Sequence, residues 1–113
     1  MKKQAGTKQS ALPIRLPVFS EAEFLQQIIQ AARLQGWYVF HDYHSKWNGR
    51  GYLDLTLCHP KGHGFFIAEL KIDGGELSPE QKEWIAALEA NDVEVHVWKP
   101  EHIEEIIHRL KVA

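Results

Sequence analysis

An α/β fold with the element order α-β-β-β-α-β-α follows from three features of the chain. Stripes of apolar residues at helical spacing bracket a run of aromatic and β-branched segments. A Lys61-Gly62 turn signal joins two of those segments as an antiparallel hairpin. A strongly capped helix then separates the third strand from a fourth, Val93-Glu94-Val95-His96-Val97-Trp98, which alternates cleanly. A helix in that place implies a right-handed crossover and a parallel strand pair, so the sheet is mixed.

The elements follow in order. Structure is expected to begin at Phe19, because Ser20-Glu21-Ala22-Glu23 reads as a capping box, with Phe19 and Phe24 placed as a hydrophobic staple. The helix runs to about Gln35 and ends at Gly36. Its apolar stripe is Leu25, Ile28, Ile29 and Ala32, with Glu23, Gln27 and Gln30 on the wet side. Trp37-Tyr38-Val39-Phe40-His41 is a first strand by composition, and the polar run from His44 to Gly51 is a loop. Strands are expected at about 52–58 and 64–72, the latter with Phe66, Ala68, Leu70 and Ile72 on one face. Phe65, Ile67, Glu69 and Lys71 take its other face, and Asp73-Gly74-Gly75 ends the pairing. Ser78-Pro79-Glu80-Gln81 opens a second helix with a cap, a proline at N1 and an acid in the first turn. Its stripe is Trp84, Ile85 and Leu88. Pro100 starts a last helix with Ile103, Ile106, Ile107 and Leu110 inward.

A length of 113 residues suits one domain with one modest core, and 44% hydrophobic with 25% charged residues is ordinary for a soluble globular protein. No apolar run reaches the ~20 residues of a membrane span and no signal-peptide pattern opens the chain. The single cysteine, Cys58, excludes an intramolecular disulfide and fits a reducing cytoplasm. A net charge of −2 argues against holding nucleic acid by bulk electrostatics. The charge is uneven, since residues 1–18 carry Lys2, Lys3, Lys8 and Arg15 with no acid and the remainder holds −6. That division predicts a basic flexible N-terminal arm over 1–18 and a single domain over 19–113; the arm is either solvated or in touch with phosphates.

The chemistry-bearing residues lie on the predicted hairpin. A turn centred between Lys61 and Gly62 sets Asp54 opposite Glu69, with their Cβ atoms ~5 Å apart on one sheet face. Two carboxylates that close repel unless a cation lies between them. Mg²⁺ takes oxygen ligands and keeps several waters, one of which, made more acidic, can attack a phosphodiester. Lys71 leaves the same face two residues on, where an ammonium can orient that water or offset phosphoryl charge. The competing reading is a plain strand salt bridge between Glu69 and Lys71.

Two more polar residues interrupt apolar stripes. Glu21, four before Leu25 and seven before Ile28, either reaches toward the sheet or simply favours the helix N-terminus. Gln81, three before Trp84, puts an amide toward the sheet, or else completes the capping box with Ser78. Seven histidines suggest zinc, yet Cys58 and His59 are strand neighbours pointing to opposite faces, and no structural zinc pattern is present.

Taken in series, these residues resemble the virus-type replication-repair nuclease (VRR-NUC) family of the PD-(D/E)xK nuclease superfamily. The resemblance spans about Ser20 to Leu110. It runs through Ser-Glu-Ala-Glu-Phe around Glu21, Gly36-Trp37, His41 to Ser45, Gly51-Tyr52-Leu53-Asp54-Leu55 and Ala68-Glu69-Leu70-Lys71. Gly75-Glu76-Leu77-Ser78-Pro79-Glu80-Gln81 and Val97-Trp98-Lys99-Pro100 complete it. It implies a restriction-endonuclease-like αβββαβ core, with a mixed sheet flanked by helices plus the C-terminal helix, and a Mg²⁺- or Mn²⁺-dependent DNA endonuclease. By position Asp54 and Glu69 resemble the metal ligands, with the Leu70 carbonyl as a backbone ligand and Glu21 as the helix acid. Lys71 resembles the catalytic lysine and Gln81 the family's motif glutamine. The family usually has proline before the Asp, where this chain has Leu53; proline there fixes φ and supplies no chemistry, so leucine is expected to be tolerated.

Members without extra domains resemble Holliday-junction resolvases, tend to dimerise and are often phage-borne. The resemblance therefore implies branched DNA as a partner, a homodimer, and the cytoplasm of a bacterial or phage-infected cell. Lys46, Trp47, Arg50 and Lys61 are the candidates for DNA contact, against an ordinary polar loop. The rival class is a nucleic-acid-binding module of the same fold without catalysis, which the intact Asp54, Glu69 and Lys71 disfavour. Hydrolysis of a small phosphorylated substrate is a third reading, weakened by the lack of a Gly-rich phosphate cradle.

Overall fold

A computed structural model describes residues 20–42, 51–72 and 74–112. Helix α1 spans Glu21–Leu34, and the Ser20 side chain caps it by accepting from the Glu23 N–H. The Ser20 hydroxyl also donates to the Glu23 carboxylate at 3.2 Å. Gly36, at φ +89°, turns the chain out of α1 into strand β1, Tyr38–His41. Strands β2, Leu55–Cys58, and β3, Phe65–Leu70, pair antiparallel. Helix α2, Pro79–Ala90, leads to β4, Glu94–Trp98, which runs parallel to β3. A 3₁₀ turn, Pro100–His102, precedes helix α3, Ile103–Leu110, where a continuous helix from Pro100 was expected.

The sheet order is β1-β2-β3-β4, so the predicted mixed sheet and crossover are present. Leu55 faces Ala68 and Leu57 faces Phe66, which sets Asp54 level with Glu69 as the sequence predicts. The connection itself differs. Gly62 N–H bonds the His59 carbonyl and His59 N–H bonds the Gly64 carbonyl, so a longer loop centred on Lys61-Gly62 replaces a two-residue turn. The loop keeps the expected centre, and the register survives.

One face of the sheet carries Leu55, Leu57, Phe66, Ala68, Leu70 and Trp98 and packs against α1 and α3. From α1 the core takes Phe24, Ile28, Ile29 and Ala32, each burial contributing on the order of 1–3 kcal/mol for the larger side chains. Leu25 is only half-buried, and Gln27, expected on the wet side, is half-buried with its side-chain oxygen enclosed. α3 buries Ile106 and Leu110, while Ile103 and Ile107 lie at its margin. Trp37 Nε1 donates to the Leu110 carbonyl at 2.8 Å and ties the entry to β1 to the end of α3. Arg109 forks onto Glu94 at 2.7 and 3.0 Å and lies over the Phe66 ring. Buried His59 bridges the β2–β3 loop to the end of α1, through Lys61 N–H and the Gln35 carbonyl.

The opposite face is thinly covered. α2 lies over it, yet none of its residues is buried, and Trp84, Ile85 and Leu88 remain partly or wholly open. Phe19, Lys46, Trp47, Arg50 and Asp73 fall outside the described residues.

Candidate active site

Asp54 and Glu69 meet where β2 begins and β3 ends, and the backbone joins them. Asp54 Oδ2 accepts from the Leu70 N–H at 2.9 Å, while Glu69 Oε1 accepts from the Asp54 N–H at 3.2 Å. Each carboxylate thus holds the strand that carries the other. Glu69 is 2% exposed, a carboxyl group in an otherwise apolar stretch of β3. Its second oxygen, Oε2, accepts from Gln81 Nε2 at 2.7 Å and lies 3.2 Å from Lys71 Nζ.

Gln81 does two things at once. Its side-chain oxygen accepts from Ser78 N–H at 3.0 Å, closing a complete capping box with the Ser78 hydroxyl on Gln81 N–H. Its amide nitrogen is left free to reach Glu69. The cap and the site role, alternatives in the sequence, are one geometry. Gly51 lets α2 come this close: it sits at φ +78°, and a Cβ there would meet the Glu80 side chain and the Glu80 carbonyl carbon at 2.7 Å.

Burial foremost, then the charge of Asp54, pushes the Glu69 carboxyl up to about 7 against the pull of the Lys71 ammonium. Glu21 is also raised, by partial burial and then by Asp54. It does not continue the buried stripe of α1, which starts at Phe24; Glu21 is exposed at the helix start. It nevertheless shares with Asp54 a cavity of about 220 Å³, lined also by Ala22, Leu25, His41 and Leu70. His41 was not singled out for this place in the sequence, where it read as the end of the first strand and the start of the His41 to Ser45 stretch of the resemblance. Its register opposite Leu55, one residue from Asp54, is the signal that finds it.

The structure therefore brings Asp54, Glu69, Lys71 and Gln81 together and sets Glu21 across a cavity from Asp54. Lys61 does not join them. It lies in the loop at the far end of β2, ~13 Å or more along the strand from Asp54. Among the described residues no three His, Cys, Asp or Glu side chains form a ready metal cluster. The donor set nonetheless suits a hard divalent cation: two carboxylates side by side, Glu69 buried and destabilised as an anion and Asp54 lining the cavity. Within the described residues no helix is long and apolar enough to cross a membrane.

Comparison with known proteins agrees with this fold. The family model of the VRR-NUC domain matches residues 3–100. A solved structure described as a VRR_NUC domain superposes with a TM-score of 0.65, covering 78% of this chain and 94% of that one at 19% identity. At that identity the superposition speaks for the fold. No curated protein is significantly similar to the chain in sequence. With the whole sheet, α1 and α2 inside the matched segment, the chain belongs to the VRR-NUC domain family, a nuclease-type domain.

Proposed function

We propose that the chain is a metal-dependent DNA endonuclease using Mg²⁺ or Mn²⁺, with Asp54, Glu69 and the Leu70 carbonyl as ligands and Glu21 at the rim. The observation that carries this reading is the pairing of half-buried Asp54 with buried Glu69, with an ammonium and an amide both on Glu69 Oε2. A carboxyl pushed up to about 7 by burial and a neighbouring acid is a group that a cation would stabilise as the anion. The ion, when bound, would activate water and polarise the scissile phosphodiester. The chain's own residues do the rest. Lys71 offsets charge on the phosphoryl oxygens and limits repulsion between the carboxylates. Gln81, locked by its capping bond, fixes the orientation of Glu69. Glu21 and His41 bound the cavity beside Asp54, where water can be held.

The family resemblance further supports branched DNA as substrate, a homodimer, and action in the cytoplasm, with residues 1–18 as a basic arm. The experiment is direct. Supercoiled, linear, flapped and four-way-junction DNA are incubated with the protein under Mg²⁺, Mn²⁺ or EDTA, beside Asp54→Asn and Lys71→Ala. Cleavage with divalent metal, lost in EDTA and in both variants, is expected. No cleavage of any substrate by the intact protein sinks the proposal, and tight metal-independent binding without cleavage assigns a binding module. Light scattering reports the mass of the particle.

A further inference from the structure

Among the described residues α2 is the one helix on the sheet face that carries Asp54 and Glu69, and it meets β4 and, through Gln81, Glu69 at the end of β3. In the rows one and two steps from the site, Ile67 is buried. On the β1 side the same rows stand open: Phe40 is 61% exposed, Tyr38 67%, and Phe65, at the end of β3, 48%. Register puts them on one surface. Phe40 pairs with Thr56, two residues from Asp54, and Tyr38 pairs with Cys58, which pairs in turn with Phe65. The result is an aromatic shelf that starts beside the carboxylates and ends at the β2–β3 loop, where Lys61 is exposed.

We propose that this shelf binds single-stranded DNA, with unpaired bases stacking on Phe40, Tyr38 and Phe65 while the phosphodiester at its head reaches Asp54 and Glu69. The inference rests on the nuclease reading for its catalytic end alone. Same-face residues along a strand recur every ~6.7 Å. Stacked bases are separated by ~3.4 Å, so one base fits between Phe40 and Tyr38, and Phe65 stands in the row of Tyr38 about 10 Å across the sheet. Base-on-ring stacking needs no particular sequence, but it needs a base whose face is free, which an intact duplex does not offer. Charge guides the same path. Tyr38, Phe40, Thr56, Cys58 and Phe65 are uncharged and Lys61 closes the far end, whereas the α2 side exposes Glu76, Glu83 and Glu89 against Lys82, a net negative surface that repels phosphate. A second copy of the chain is the weaker occupant. With ~200 Å² per ring, the three rings leave roughly 350 Å² open, under half of the ~800 Å² per partner of a stable interface.

The test uses the full chain in EDTA, where nothing is cut. Anisotropy of a fluorescein-labelled ten-nucleotide oligo-dT reports binding beside a blunt duplex. Tyr38→Ala and Phe40→Ala are each expected to weaken oligo-dT binding roughly tenfold and to leave duplex binding unchanged, and Phe40→Trp restores it. A readout on the unaltered protein guards against misfolded variants: Cys58, the lone cysteine, is exposed on the shelf. Oligo-dT should slow its alkylation by iodoacetamide several-fold, and the duplex should not. Unchanged oligo-dT affinity in the alanine variants, or alkylation indifferent to oligo-dT, overturns the proposal. So does a dimer that Phe40→Ala splits into monomers, because a second copy would then own the shelf. Failure to cut any DNA with divalent metal, beside intact oligo-dT binding, instead defeats the nuclease reading and leaves the shelf standing.

Discussion

Replacing Glu69 with glutamine tests the central tension of the site. The folded protein keeps the Glu69 proton up to about pH 7, whereas the unfolded chain releases it near 4.5. Between those values the folded state binds more protons, so stability is full below pH 4.5 and falls as pH rises through 7. A shift of ~2.5 pH units corresponds to about 3 kcal/mol lost by pH 8 in the absence of metal. Glu69→Gln removes that charge. It also loses one acceptor, since Asp54 N–H, Gln81 and Lys71 now share a single oxygen, at a cost of about 1 kcal/mol. The variant should therefore be less stable than the parent by about 1 kcal/mol at pH 4 and more stable by about 2 kcal/mol at pH 8. Urea unfolding in EDTA, followed by tryptophan fluorescence across pH 4 to 8, reads this crossover. At pH 8, saturating Mg²⁺ or Mn²⁺ should recover ~2–3 kcal/mol in the parent and far less in the variant. Parallel pH profiles for the two proteins would refute a strained, buried carboxylate and with it the driving force for cation binding.

Gln81→Glu should keep the cap on α2, because a carboxylate still accepts from Ser78 N–H, yet it sets two acceptors against each other at Glu69. Its helix content by circular dichroism should match the parent while cleavage falls by tenfold or more; Gln81→Ala should in addition lose about 1 kcal/mol of stability. Gly51→Ala, forced against Glu80 and held at positive φ, should cost about 1–3 kcal/mol in urea unfolding and lower cleavage by pushing Gln81 away. Glu94, drawn down to about 2 chiefly by Arg109, contributes stability above pH 4.5 that fades as pH falls toward 2. The pair is partly exposed, so Glu94→Gln should cost only about 1 kcal/mol at pH 7, a gap that narrows toward pH 3.

Most of this architecture was legible because the local signals were strong and unopposed. Ser78-Pro79 with Gln81, the glycine after α1 and the centred Lys61-Gly62 loop each specify backbone geometry with little help from tertiary packing. The Asp54–Glu69 pairing came from the same source, since a hairpin's centre fixes every cross-strand partner even when the loop is longer than expected. Helix faces were less legible. A stripe at helical spacing names a direction but not a depth: Phe24 proved fully buried where Glu21, on the predicted stripe, is exposed. Trp84, Ile85 and Leu88 form a stripe that buries nothing completely, and the four-stranded sheet is wider than the one helix the described residues place on that face.

That width mismatch links fold to function. One helix cannot roof four strands on the Asp54–Glu69 face, so β1 and the loop end of β3 keep their aromatic side chains in solvent. The sequence of β1, Tyr-Val-Phe-His, reads as an ordinary strand because aromatic residues favour strands whether covered or not. Only the sheet order reveals that, among the described residues, no helix lies above Tyr38 and Phe40. The dual role of Gln81 was hidden for a related reason. A capping bond uses the amide oxygen and the contact with Glu69 uses the amide nitrogen, so neither reading excludes the other. A glutamate at this position would serve the cap equally well and would repel Glu69. The choice of amide over acid is thus the one feature of that turn which helix stability alone does not explain.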